Sequence, residues 1–245
     1  MKANKAYKFR IYPNTLQEEM LAKTFGCVRF IYNKMLSDKI EYYKETGKML
    51  STTPAQYKGQ FEFLKEVDSL ALSNAQLQLQ TAYRNFYREK SIGFPKFKSK
   101  KYSRQSYTTN LVNGNIRIYD GKIRLPKVGE IRIKLHREIP ESHTVKSVTV
   151  SRESTGKYFV SVLTEYEVIE FSKALDKEMS LGLDYSSPCF YVDSNGNTSD
   201  MPHFYREAEA KLAREQRKLS KMTKGSNNYN KQRRKERYRQ MSRNS

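Results

Sequence analysis

The stretch YKFRIYPNTLQ, residues 7–17, joins a strand to a helix and determines how the rest of the chain is organised. Tyr7, Phe9 and Ile11 alternate with more polar residues, which is the period of a half-buried strand. Asn14 can cap the following helix, and the glutamine three residues later completes a capping box. Because one strand is not stable alone in water, this strand must pair with strands from later in the chain.

Helical patterns occupy the chain from residue 15 to residue 92. The first helix runs from about Thr15 to Glu45, and Gly47 provides its stop signal. Thr53 and Pro54 begin a second, shorter helix. A third helix has an apolar face formed by Leu72, Ala75, Leu79, Ala82 and Phe86. The pattern ends at residues 93–95, which mark a joint between two regions.

Short strands follow the joint. Asp120 and Gly121 predict a tight hairpin turn, because this pair tolerates the positive φ that such turns require. Further alternating runs occur at 131–135, 148–150 and 158–162. Together with residues 7–12 they predict a small barrel or a twisted sheet. Its outward positions are basic: Arg117, Lys122, Arg124, Arg132 and Lys134.

A third unit begins near Met179. Residues 179–184 form a short apolar stretch that ends in an acid, and residues 189–193 form another, so two strands are predicted here. From His203 onward the pattern is helical and strongly basic.

The chain carries a large positive charge. Of its 245 residues, 46 are Lys or Arg and 26 are Asp or Glu, which gives a formal net charge of +20 and a pI of about 9.8. This excess favours a polyanionic partner, and nucleic acid is the leading candidate. The sequence has no apolar run of membrane-spanning length and no signal-peptide core. Cys27 and Cys189 are too far apart for a zinc ribbon or a disulfide scaffold, so a reducing cytosolic setting is expected.

Two basic segments have patterns typical of nucleic-acid binding. In residues 93–107, lysines that can neutralise phosphates are interleaved with aromatic rings that can stack on bases. The helix after residue 203 has basic residues at nearly every turn and few acids, so its charges repel one another unless a polyanion binds. A solvated linker and a solvated helix face are the respective alternatives. The candidate contacts are Lys96, Lys98, Lys100, Lys101 and Arg104 in the first segment, and Arg214, Arg217, Lys218 and Lys221 in the second.

Five short motifs, in this order, resemble those of one protein family. They are RIYPN at 10–14, GFPKFKSKK at 93–101, LPKVG at 125–129, GKYFV at 156–160 and GLD at 182–184. Further matches lie in the first helix: Gln17, Leu21, Gly26, Arg29, Tyr32 and Asn33. On these motifs the chain is identified as a member of the TnpB family, the OrfB-type accessory transposases of bacterial insertion sequences.

The resemblance implies an α+β protein of three parts. An OB-like wedge β-barrel is implied for residues 1–13 and 94–175, and a helical recognition lobe is inserted at 14–93. The start of an RuvC or RNase H-like nuclease domain is implied for 176–245. This order of strand, helices and strands agrees with the pattern derived above from the residues.

Family members are implied to be RNA-guided DNA endonucleases that use Mg²⁺. The implied partners are a guide RNA from the transposon end and a target DNA, with no membrane and no small-molecule substrate. Arg10 in the first motif and Arg124 on an outward strand position join the candidate nucleic-acid contacts. The expected location is the bacterial cytoplasm, in association with the nucleoid when nucleic acid is bound.

Asp184 resembles the first of three acids that hold the metal ions in the family's nuclease. The later Glu and Asp, and the four-cysteine zinc ribbon between them, have no counterpart in this sequence. We therefore expect a C-terminally truncated member with an incomplete Mg²⁺ site, no zinc site and no DNA cleavage of its own, because two-metal hydrolysis needs several converging carboxylates. The alternatives are a nuclease-dead regulator that binds RNA or DNA, and an inactive remnant of a mobile element.

The residues alone also allow purely structural roles for Asp184, for a second acid and for the three histidines. Asp184 can also be an acid that closes a strand and starts a turn at 185–188. Asp193 begins the turn sequence Asp-Ser-Asn-Gly, which needs no metal. The three histidines are too scattered in sequence to predict a metal set: His136, His143 and His203.

Overall fold

The computed structural model describes residues 1–168, 180–186, 189–200 and 204–243. The chain divides into two compact units, residues 1–168 and 169–245. Within the described residues, no helix has the length and apolar character needed to cross a membrane. Met179, where the third predicted unit begins, and His203, where the basic helix was predicted to start, lie outside the described residues.

The first unit contains seven strands and three α-helices, all within the continuously described residues 1–168. They are β1 (Lys2–Tyr12), α1 (Thr15–Thr46), α2 (Pro54–Tyr57), α3 (Ser69–Arg88), β2 (Gln105–Asn110), β3 (Arg117–Tyr119), β4 (Lys122–Leu125), β5 (Gly129–Lys134), β6 (Thr144–Arg152) and β7 (Tyr158–Glu167). Short 3₁₀ turns occupy Glu62–Lys65 and Lys90–Ile92. The chain is therefore a mixed α and β protein, and the predicted order of strand, helices and strands is confirmed.

All seven strands belong to one antiparallel sheet with the order β2-β6-β7-β1-β5-β4-β3. The first strand lies inside this sheet, where Phe9 pairs with Val160 of β7 and Arg10 pairs with Lys134 of β5. The alternation seen in the sequence is the reason, because Phe9 and its apolar neighbours in β1 point into the core. The prediction that the first strand joins later strands is confirmed.

Helix α1 begins and ends at the predicted signals. The Asn14 side chain accepts a hydrogen bond from the Gln17 backbone N–H at 2.9 Å, and the Gln17 side chain accepts one from the Asn14 N–H at 3.0 Å. Gly47 ends the helix with φ +68°, a left-handed conformation that glycine adopts without strain. Phe25, Tyr32 and Cys27 are buried on the inner face of this helix.

The helices pack on the β2 edge of the sheet. Helix α3 contacts both α1 and β2, and α1 also contacts β2. The Phe25 ring of α1 lies 5.7 Å from the Tyr107 ring of β2, measured between centroids. Leu72 and Leu79 of α3 are fully buried. Buried side chains of the helices and of the sheet form one continuous core.

The predicted hairpin turn between β3 and β4 is confirmed. Asp120 has φ +45° and Gly121 has φ +67°, the positive values that the sequence pair tolerates. The two strands pair in register on either side of this turn, with Ile118 opposite Ile123. The turn leaves the outward positions of β3 and β4 on one face, which is the face that carries their basic side chains.

The second unit contains a small sheet and two helices among its described residues. The elements are β8 (Leu183–Tyr185), β9 (Cys189–Asp193), β10 (Thr198–Asp200), α4 (Phe204–Ser220) and α5 (Asn227–Arg243). The strands are antiparallel in the order β10-β9-β8. The sequence predicted a strand over residues 179–184. This prediction is wrong for residues 180–182, because the described strand begins at Leu183. The third strand, β10, was not predicted from the sequence because a run of three polar residues carries no alternating pattern.

Candidate nucleic-acid interface

The basic segment at residues 93–104 is held on the helices by a pair of hydrogen bonds. The Asn33 side chain of α1 accepts from the Lys98 backbone N–H at 2.8 Å and donates to the Lys98 carbonyl at 2.9 Å. Beyond it, the Ser99 backbone N–H donates to the Ser103 hydroxyl at 2.9 Å, which closes a tight turn. The segment is therefore a fixed part of the first unit, and the alternative of a solvated linker is wrong for Lys98.

Lys98 differs from the other candidate lysines of this segment. Its Nζ donates to the Gln78 side chain of α3 at 2.8 Å and lies 4.1 Å from the centre of the Tyr32 ring. Burial lowers the pKa of the Lys98 ammonium below its usual value, because the charged form loses water contacts. By contrast, the remaining candidates in this segment are exposed: Lys96, Lys100, Lys101 and Arg104.

Aromatic rings flank these cations, as the interleaved pattern predicted. Phe97 is 57% exposed and Tyr102 is 83% exposed, so both rings can be approached from solvent. Lys101 Nζ lies 5.0 Å from the centre of the Tyr102 ring. Tyr107, in contrast, is buried in the core and is unavailable for stacking. The segment thus presents cations and accessible rings together, the combination that binds single-stranded nucleic acid.

A second basic surface covers the outward face of β1, β5 and β4. The Tyr12 ring has the guanidinium carbons of Arg10 and Arg132 at 4.8 Å and 4.7 Å from its centre. Tyr12 and Arg132 are direct partners across β1 and β5, so the sheet register brings them together. Arg124 of β4 is exposed and lies opposite Glu130 of β5.

Tyr12 was not predicted as a site residue, because its contact with Arg132 depends on pairing between distant strands. The carboxylate of Glu130 on the same face is already engaged by Tyr119 and by Lys122 at 3.3 Å. The Tyr119 hydrogen bond is the main cause of a lowered pKa for Glu130, and Lys122 adds to it. The two arginines around Tyr12 form no ion pair within residues 1–168, so they remain available for phosphates.

A third basic surface is the hairpin of α4 and α5 in the second unit. The four predicted contacts, Arg214, Arg217, Lys218 and Lys221, all lie on or just after α4 and are all exposed. The two helices pack through buried Leu212. The prediction that residues after 203 are helical and basic is confirmed for the described part.

One buried acid organises this hairpin. Glu215 is 5% exposed, and its carboxylate accepts a hydrogen bond from the Gln232 side chain of α5 at 2.7 Å. Lys235 Nζ lies 3.5 Å from it, and Arg239 Nε lies 3.9 Å from it. The Gln232 hydrogen bond is the main cause of a lowered pKa for Glu215, and the nearby ammonium groups act in the same direction. Glu215 therefore binds α5 to α4 and offsets part of the repulsion between the basic residues.

We expect Glu215 to make the hairpin sensitive to acid. Because the folded-state pKa of Glu215 lies below the unfolded value of about 4.3, its stabilising effect is present above that pH and is lost as the pH falls through the lower folded-state value. Glu215→Gln should remove this acid-dependent step from the helical circular dichroism signal, whereas Glu207→Gln, at an exposed position of the same helix, should retain it. An unchanged acid transition in Glu215→Gln would contradict this role.

The predicted metal ligand lies on an exposed strand. Asp184 is the central residue of β8 and pairs with Val192 of β9. In the described part of the chain, no three His, Cys, Asp or Glu side chains come together in a group that could hold a metal ion. Asp184 by itself therefore does not fit a Mg²⁺ site of the two-metal type. Residues 187–188 of the turn predicted after it lie outside the described residues.

Asp193, His136 and His143 each have structural partners in the described residues. Asp193 accepts from the backbone N–H groups of Asn195 and Asn197 at 2.9 Å and 2.8 Å, so its turn role is confirmed. His143 lies in the first unit, parallel to the Tyr166 ring at 4.4 Å between centroids. His136 contacts Phe9 edge-on at 5.3 Å.

Comparison with known proteins adds three findings. A family model described as "Helix-turn-helix domain", of the OrfB type from IS605, matches residues 1–48. A Streptomyces pristinaespiralis protein named "Putative RNA-guided DNA endonuclease" is 34% identical over an alignment of 241 positions that covers 94% of this chain. An Escherichia coli K12 protein named "Putative RNA-guided DNA endonuclease InsQ" is 34% identical over an alignment of 247 positions that covers 96% of this chain. This chain spans 58% of the length of each of these two relatives.

Among solved structures, the chain is similar to one from the cryo-EM structure of the Cas12f1-sgRNA-target DNA complex. The TM-score is 0.48 with 12% sequence identity, and the match covers 98% of this chain and 76% of that chain.

Proposed function

The chain belongs to the TnpB family, and from that premise we propose that it binds a guide RNA and the DNA target that pairs with it. One observation carries the proposal: each of the three described basic surfaces has cations that pair with no acid among the described residues. On two of these surfaces, the cations lie beside aromatic rings. In such a complex, base pairing of the RNA determines most of the sequence specificity. The protein contacts phosphates and recognises the shape of the duplex.

The proposed parts of the protein follow the family's division. Residues 1–13 and 94–175 would form the OB-like wedge, residues 14–93 the recognition lobe, and residues 176–245 part of an RuvC-like domain. Support comes from β1, which enters the sheet of later strands while the helices are inserted after it. Asp184, the acid of the GLD motif, lies on strand β8 of the second unit.

Three cations of the α4 and α5 hairpin provide a direct test of RNA binding. The triple variant Arg214→Gln, Arg217→Gln and Lys221→Gln removes exposed charges and keeps Lys218, whose Nζ lies 3.9 Å from the Glu215 carboxylate. We expect affinity for RNA to fall roughly 30-fold at 100 mM salt, and the salt slope to fall by about 2 to 3, because about three phosphate contacts are lost. The measurement is fluorescence anisotropy with a labelled transcript.

A second triple variant is the matched control. Lys2→Gln, Lys23→Gln and Lys65→Gln change the net charge by the same amount, but these lysines already pair with Glu165, Glu66 and Glu62. We expect the control to lose much less affinity than the hairpin variant. Equal losses would show that net charge, and not the hairpin surface, determines binding.

We propose that this chain by itself does not cleave DNA. Asp184 is a single exposed carboxylate on a three-residue strand, and one carboxylate cannot hold two Mg²⁺ ions about 4 Å apart. With magnesium, guide RNA and a matched target, the chain and its Asp184→Asn variant should therefore give the same background of product on a denaturing gel. If the wild-type chain cleaves the target and Asp184→Asn does not, then other acids, or a second copy of the chain, complete the site.

A further inference from the structure

A cleft of about 180 Å³ opens where the basic segment meets the two long helices. Helices α1 and α3, residues 98–104 and the start of β2 all contribute to its walls. Its polar lining consists of Arg29, Gln78, Lys98, Ser103 and Arg104, together with the first two residues of β2. None of these residues is acidic, and three of them carry a positive charge. The cleft therefore concentrates positive charge in a concave site of the first unit.

Among residues 1–168, the three cations have no carboxylate partner. Neither Arg29, Lys98 nor Arg104 forms an ion pair within residues 1–168. Lys98 gives the strongest argument of the three, because within residues 1–168 the partners of its partly buried ammonium are the Gln78 oxygen and the Tyr32 ring. A cation that has lost water contacts and gained no anion favours a bound anion from outside the chain.

The remaining polar lining consists of neutral groups that can donate hydrogen bonds. The Ser103 oxygen already accepts from the Ser99 backbone N–H, which leaves its own hydroxyl hydrogen free to donate outward. Gln105 and Ser106 add an amide and a hydroxyl at the start of β2. Cations and neutral donors that converge from three elements are what the oxygens of a phosphate require. The Asn33 hydrogen bonds to Lys98 keep one wall in place before any ligand binds.

We propose that this cleft binds one backbone phosphate of a nucleic-acid strand, with Arg29, Lys98 and Arg104 as its charged contacts. The inference rests on the proposed function, since it names a place where the nucleic acid is held. The exposed rings of Phe97 and Tyr102 favour a backbone phosphate over a free one, because they precede Lys98 and Ser103 directly in the chain. Bases on either side of a phosphate bound in the cleft can stack on such rings.

The first test uses inorganic phosphate as the probe. Titration up to 50 mM into the isotope-labelled full chain should shift the NMR side-chain signals of Arg29 and Arg104, and Arg29→Gln should weaken the shift of Arg104. Chloride at the same ionic strength should shift neither signal. If phosphate and chloride act alike, the cleft is not a phosphate site and the proposal is overturned.

The second test uses an RNA or DNA strand and separates this proposal from the proposed function. Arg29→Gln and Arg104→Gln should each weaken binding roughly tenfold and lower the salt slope by no more than about 1, since both arginines contact the same phosphate. Lys23→Gln is the matched control on the same helix, because Lys23 is paired with Glu66. Circular dichroism and thermal unfolding should be unchanged in all three variants.

Ethylation of single phosphates locates the contact on the strand. In the wild-type chain, one ethylated position should block binding through the cleft, and this interference should disappear in Arg29→Gln. If the wild type binds the strand and the two arginine variants match it, the cleft proposal is wrong and the proposed function stands. If the wild type binds inorganic phosphate but no strand, the cleft is a free-phosphate site, and both the backbone-phosphate proposal and the proposed function fail.

Discussion

Raising the salt concentration from 50 to 200 mM is expected to weaken nucleic-acid binding by this chain about a thousandfold. The expected loss corresponds to about six neutralised phosphates. Each phosphate releases condensed counterions when a Lys or Arg side chain of the protein takes the place of those counterions. The net charge of +20 and the exposed cations of the three basic surfaces provide more than this number of contacts. Ion pairs within the protein contribute little to this slope, because their cations are already partly neutralised.

Fluorescence anisotropy at four or more salt concentrations measures this slope directly. RNA and duplex DNA should both show a linear fall of log affinity with log salt concentration. The hairpin triple variant should give a shallower line than the wild type. The line of the paired-lysine variant should have nearly the wild-type slope. An affinity that stays constant between 50 and 200 mM would remove the electrostatic basis of the proposal.

Leu72→Ala is expected to lower the free energy of unfolding of the first unit by about 2 to 5 kcal/mol. Leu72 is fully buried where α3 packs in the core, so its truncation removes apolar contacts and leaves a cavity. Leu77→Ala on the same helix is the matched control, because Leu77 is 52% exposed and alanine is a good helix former. Its effect should stay within about 0.5 kcal/mol.

Urea denaturation followed by circular dichroism gives both values. Helix α3 also carries Gln78, which holds the Lys98 ammonium, so a loosened α3 should weaken nucleic-acid binding as well. Equal stability of Leu72→Ala and Leu77→Ala would show that α3 does not depend on this core for its position.

Local signals in the sequence were sufficient for the elements that begin and end on short motifs. Asn14 and Gln17 form the predicted capping box, and Gly47 ends the helix, because these contacts join residues close in sequence. The turn at Asp120 was predictable for the same reason. The alternation in β1 also showed that this strand needed partners, and the sheet supplied them on both sides.

The details of the candidate interface depend on contacts between distant residues. Lys98 is partly buried because Asn33, 65 positions away, holds its backbone, and the sequence pattern treated it as one of several exposed lysines. Tyr12 lies between two arginines only because β1 pairs with β5. Glu215 is one of few acids in a basic helix, and its partner Gln232 comes from the next helix. No local period in the sequence encodes such pairs.

The most direct test of the central claim is to sequence the RNA that co-purifies with the tagged chain from cells that carry its native locus. The account predicts enrichment of one discrete transcript from the transposon end over total RNA, retained at 50 mM salt and released at high salt. The hairpin triple variant should retain much less of it, and the paired-lysine variant should retain nearly all of it. Co-purified RNA that matches the composition of total cellular RNA, or no RNA at all, would contradict the claim that this chain holds a guide.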